Sequence, residues 1–81
     1  MCLIIHKPAG KAVPSHIIEA AFTANNDGFG VMWYDPAVKD CGYHKALYKT
    51  LTPIKKIMEK LIPYEAGIHF RFKTHGDISV A

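Results

Sequence analysis

Cys2 is the residue whose position could itself do chemistry. Excision of the initiator methionine is normal when the second residue is small, and cysteine qualifies. Removal of Met1 leaves a thiol and a free α-amino group on one residue. In model peptides the thiol titrates near about 8.5 and the amine near about 7.7–8.0. The amine is therefore able to act as the general base for its own side chain near neutral pH, the N-terminal form of an activated nucleophile. Such a thiolate attacks a carbonyl carbon, and the amine returns the proton to the leaving group. The plainer reading of the same residue is a small apolar strand position.

Arg71 is the second candidate. It lies on the polar face of a segment that ends in Thr74-His75-Gly76. A guanidinium presents a planar fork that matches a carboxylate bidentately. An arginine at a strand end, beside a turn, suits an amino-acid carboxylate; equally, it suits a solvated strand face. Asn25-Asn26-Asp27-Gly28-Phe29-Gly30 is the third. It follows a helical pattern instead of opening one, so it is a poor match to a phosphate-binding loop.

The remaining polar residues point elsewhere. His69 and His75 share one strand face but stand too far apart for one metal ion, and His6, His16 and His44 have no ligand spacing, so no metal is expected. Lys45, Lys49, Lys55, Lys56, Lys60 and Arg71 form at most a solvated basic face. The net charge of +3 is too mild to imply nucleic acid.

The elements that position these residues follow from periodicity. Residues 2–6 read as a strand stopped at Pro8-Ala9-Gly10. A helix opens at Pro14-Ser15, with Ser15 as N-cap and Glu19 in the early turns where it complements the dipole. Ile17, Ile18, Ala21 and Phe22 form its apolar face, and Asn25 to Gly28 end it. Phe29 to Tyr34 and Tyr43 to Tyr48 read as an antiparallel hairpin with a long loop. Thr52-Pro53 opens a second helix with Thr52 as N-cap, lined by Ile54, Ile57, Met58 and Leu61, and Pro63 stops it. From Ile68 the pattern alternates, with Ile68, Phe70 and Phe72 on one side and His69, Arg71, Lys73 and His75 on the other. The order is β-α-β-β-α-β, read as an α/β (α+β) fold with a mainly antiparallel sheet.

Three of these segments together carry a resemblance. Met1-Cys2-Leu3-Ile4, Asn25 to Gly30, and His69-Phe70-Arg71-Phe72-Lys73-Thr74-His75-Gly76 resemble, in order, the Met-Cys-Gly-Ile, Asn-x-Asp-Gly-x-Gly and His-x-Arg-x-Ala-Thr-His-Gly motifs of class II glutamine amidotransferases. Met1 to Gly10 also resembles amidotransferase-like proteins of phage genomes. The resemblance implies the first portion of an N-terminal-nucleophile (Ntn) hydrolase αββα sandwich. It implies that Cys2 takes the acyl group of L-glutamine and releases ammonia. Arg71 then pairs with the glutamine α-carboxylate, Thr74 and His75 position the substrate, Gly76 shapes the turn, and Asp27 and Gly28 are structural residues near the site. That half-reaction requires no cofactor.

The sequence also departs from the motifs. Leu3 stands where the family has glycine, and Lys73 where it has a small residue. The family domain is more than twice as long. Its Asn-Gly oxyanion element and its amine-binding aspartate follow the Thr-His-Gly motif and are not within these 81 residues. Losing one oxyanion donor costs about 10²–10³ in rate, so a molecule ending at Ala81 is expected to have little glutaminase activity. The alternative expectation is a non-catalytic binding module, a half-domain whose open sheet is covered by a second copy or a protein partner.

Composition bounds the rest. Eighty-one residues, 49% of them hydrophobic, suit one domain, residues 1–81, with a packed core and modest stability. Cys2 and Cys41 form neither a CxxC pair nor a zinc spacing. With no signal-peptide pattern and no apolar run of membrane-spanning length, a soluble cytoplasmic protein with free thiols is expected.

Overall fold

In the computed structural model, which describes residues 2–72, the alternation of the last strand organises the sheet. The elements are β1 (Cys2–Lys7), α1 (Ser15–Ala24), β2 (Gly28–Asp35), β3 (Asp40–Ala46), α2 (Thr52–Lys60) and β4 (Glu65–Arg71). The expected order β-α-β-β-α-β is the observed one. The four strands form one sheet in the order β1-β4-β2-β3, with every neighbour antiparallel. β4 therefore lies inside, between β1 and β2. Its alternate residues Ala66, Ile68 and Phe70 are all buried, as period 2 requires of a strand with one face on the core.

Both helices cover that same face. Ile18 and Ala21 from α1, Ile54 and Met58 from α2, and Leu61 just beyond it join Phe29, Val31, Ile68 and Phe70 in one cluster. Register sets the contacts: Phe29 lies opposite Phe70, and Val31 opposite Ile68. The Phe29 and Phe70 rings meet at 5.4 Å with a 60° tilt, a favoured geometry for aromatic pairs. Each fully buried side chain of this size contributes about 1.5–3 kcal/mol over leaving it exposed. The result is two layers, helices on sheet.

Several local expectations are corrected. Ser15 is the first helical residue of α1 and not its cap. The N-cap is Pro14, with extended dihedrals and no side-chain cap, and its carbonyl accepts from the amides of Ile17 and Ile18. Thr52 likewise begins α2, whose N-cap Leu51 already has helical dihedrals and accepts from the Lys55 amide. Glu19 lies beyond the first turn of α1 and bonds Lys55 Nζ on α2 at 2.7 Å, so it ties helix to helix instead of answering the dipole. The β2–β3 loop is short. Asp35 Oδ1 accepts from the Ala37 amide at 3.0 Å, and Lys39 takes a left-handed φ of 53°, so pairing resumes at Asp40. β3 consequently runs Asp40–Ala46, not Tyr43 to Tyr48. β4 starts at Glu65, earlier than its sequence pattern, and Phe72 follows its end and is exposed.

Two further features fix the frame. Trp33 pairs with Gly42 across β2 and β3, and its indole occupies the space that a Cβ on Gly42 would take. Lys7, at the end of β1, is only 2% exposed. Its ammonium donates to the carbonyls of Pro8, Lys11 and Ile62 at 3.0, 3.0 and 2.9 Å. All three of its donors are thus satisfied without a carboxylate. Because the Gly10 amide also bonds Ile62 O at 2.9 Å, the loop after β1 is fastened to the α2–β4 connection. Burial lowers the Lys7 pKa below its ordinary value.

Candidate active site

Antiparallel pairing brings three distant pieces of sequence to one end of the sheet. β1 begins there, β4 ends there, and β2 begins there. Cys2 is the register partner of Arg71, and Arg71 is the register partner of Gly28. The three form one row across the strands, and neighbouring Cα atoms in such a row lie about 4.5–5.5 Å apart. The Asp27 amide closes the row by donating to Arg71 O at 2.7 Å.

Gly28 has a specific consequence for Arg71. A Cβ at Gly28 would lie 3.4 Å from Arg71 Cβ and 3.8 Å from its Cδ. The arginine stem therefore runs across the bare backbone of β2. This sets the direction in which the guanidinium is carried, and it links the second sequence motif to the third. Of the residues expected at the site, Cys2, Asp27, Gly28 and Arg71 come together. Thr74, His75 and Gly76 lie outside the described residues.

Arg71 stands on the sheet face opposite the helices, because its strand neighbour Phe70 points into the core. Below it on this face come His69, then Gly67, then Glu65. Glu65 Oε2 accepts from or shares a proton with His6 Nε2 at 2.8 Å, and the pair is solvent-exposed. Lys45 Nζ lies 5.3 Å from the Tyr43 ring centroid, within cation–π range. The face is otherwise apolar: Ile4 is 74% exposed, Met32 52% and Tyr43 57%. A continuous trough runs over Gly30 and Gly67 between these side chains.

The sequence raises an open, partner-covered sheet as one alternative but does not identify the residues of this apolar face, although a signal for them exists. Val31-Met32-Trp33-Tyr34 is apolar at consecutive positions, the pattern of a strand covered on both faces. The six-cation basic face expected from sequence is divided. Lys55 is engaged by Glu19 in the helical layer, whereas Lys45 and Arg71 belong to the open face. Among the described residues no group of three His, Cys, Asp or Glu side chains is arranged to hold a metal ion. No helix among them is long and apolar enough to cross a membrane. No protein-family model matches the chain, and no significant match is found among curated proteins or among solved structures.

Proposed function

We propose that this chain carries the glutaminase half-reaction of a class II amidotransferase, on an Ntn-hydrolase-like framework. The observation that supports the reading is the row Cys2–Arg71–Gly28. It sets the candidate nucleophile and the candidate carboxylate-binding residue on adjacent strands, beside the glycine that admits the arginine stem. In the reaction, the Cys2 thiol passes its proton to the α-amine left by removal of Met1. The thiolate adds to the side-chain amide carbon of L-glutamine, the C–N bond breaks, and the proton leaves with ammonia. Water then cleaves the thioester to glutamate and frees the thiol. Arg71 holds the α-carboxylate through paired hydrogen bonds, which fixes the amide carbon relative to the nucleophile.

A second reading, a non-catalytic interaction module, is favoured by the exposed apolar sheet face. One experiment separates the two: the intact mass of the purified chain before and after exposure to diazo-oxo-norleucine, a glutamine-like electrophile. Loss of Met1 and a single adduct, blocked by glutamine and missing in Cys2→Ala, is the expected result. A retained Met1, or no adduct on a chain lacking Met1, overturns the glutaminase reading in favour of the module.

A further inference from the structure

The open face has a polarity along its strands. Outward positions of β2 run Gly28, Gly30, Met32, Tyr34, from small to large. Those of β4 run Glu65, Gly67, His69, Arg71, from acid to base. Register sets Met32 beside Gly67, His69 beside Gly30, and Tyr34 beside Glu65. The face therefore alternates large side chains with bare backbone, and its cations Arg71 and Lys45 lie toward one end, with the Glu65–His6 pair at the other.

We propose that this face is covered by a second copy of the chain, stacked with a two-fold axis in the interface plane and perpendicular to the strands. This operation reverses the order of residues along each strand. It sets Met32 of one copy over Gly30 of the other, and His69 over Gly67. It carries Glu65 to the end that holds Arg71, and Lys45 toward the Tyr43 ring. Each contact occurs twice, as an isologous interface requires. A two-fold parallel to the strands instead sets both basic ends together and leaves Glu65 opposite Tyr34, so charge selects the reversed stacking.

The dimensions fit a sheet-on-sheet interface. Stacked sheets pack about 10 Å apart, and strand spacing and rise give this face roughly 450 Å² in plan. A standard interface buries about 800 Å² of accessible surface per partner. The plan area is below that value, which sets the expectation of a dimer that dissociates on dilution. The helices remain outside, so the assembly has four layers, helix-sheet-sheet-helix. The row Cys2–Arg71–Gly28 is the end row of this face, so the second copy and glutamine compete for Arg71, and the inference does not depend on Cys2 chemistry.

Sedimentation equilibrium of the 81-residue chain across micromolar concentrations tests it. The expected result is a monomer–dimer equilibrium. Met32→Glu, at a position exposed in the single chain, raises the dissociation constant about 100-fold or more by burying a charge. Gly30→Leu fills the seat of Met32 and weakens association about tenfold; the nearest atoms to a Cβ there are those of the flexible Lys45 stem, at 3.3 Å, and the His44 carbonyl oxygen, at 3.9 Å. Glu65→Arg weakens association about tenfold through like-charge contact. A chain that stays monomeric, or a dimer indifferent to Met32→Glu and Gly30→Leu, overturns the proposal. A dimer sensitive to those two but not to Glu65→Arg overturns the reversed stacking. Cys2→Ala dimerises like the parent chain, so loss of the glutaminase reading leaves this result unchanged.

Discussion

The stem of Arg71 lies across the bare Cα of Gly28, with its Cβ 3.4 Å and its Cδ 3.8 Å from where a Gly28 side chain would begin. An alanine there meets only ordinary van der Waals distances. Gly28→Ala is expected to change stability by less than about 1 kcal/mol, upward in sign, because alanine loses less backbone entropy in a strand. A larger side chain must displace the arginine. Under the glutaminase reading, Gly28→Leu raises KM for glutamine about tenfold with kcat within about twofold, since the loss is in substrate binding. Steady-state kinetics with a thermal melt check both variants. A kcat loss without a KM change removes Arg71 from the carboxylate role.

Gly42 answers to a different neighbour. Its Cα side is occupied by the Trp33 indole, so Gly42→Ala forces the indole off its seat at the edge of the core. The expected loss is about 1–3 kcal/mol, the range for overpacking. Urea unfolding measures it. Combining Gly42→Ala with Trp33→Leu should cost less than the sum of the two, because the clash disappears with the indole. Strict additivity contradicts the packing relationship.

Lys7 joins burial to hydrogen bonding. Lys7→Met keeps the stem but leaves the carbonyls of Pro8, Lys11 and Ile62 without the ammonium, and is expected to cost about 1–3 kcal/mol. The pH dependence has a definite sign. The folded pKa is lowered by burial below the ordinary lysine value. Between the folded and unfolded values the unfolded chain binds more protons, so the Lys7 contribution to stability rises with pH through that alkaline window. Denaturant midpoints measured from pH 8 upward should show a rise in the parent chain relative to Lys7→Met. A fall in that difference means the three carbonyls hold the ammonium more strongly than burial opposes it.

Glu19 gives the opposite dependence. Its pKa is lowered from 4.5 chiefly by the hydrogen bond from Lys55 and then by that residue's charge. A depressed carboxyl contributes stability that is present above about 4.5 and is lost as pH falls through the lower, folded value. Glu19→Gln should flatten this part of the acid limb, and added salt should shrink the difference, because the pair is exposed. An acid limb identical in both chains shows that the pair adds nothing to stability.

Much of this molecule is legible in its residue pattern. The alternation of Ile68 and Phe70 and the i, i+3, i+4, i+7 face of Ile54, Ile57, Met58 and Leu61 determine strand and helix, because local periodicity decides which side of an element meets the core. The element order and the motif order follow directly. Helix caps and the hairpin loop do not. Pro14 and Leu51 cap through backbone geometry alone, and Asp35 and Lys39 close a turn whose polar residues read as a longer loop. Only the tertiary structure decides that Cys2, Arg71 and Gly28 share a row, since β1 and β2 both pair with β4 across long stretches of chain. It alone buries Lys7 under three carbonyls. It also leaves Ile4, Met32 and Tyr43 on an open face, because both helices pack on the other side and the apolar residues of β2 outnumber the surface that those helices cover.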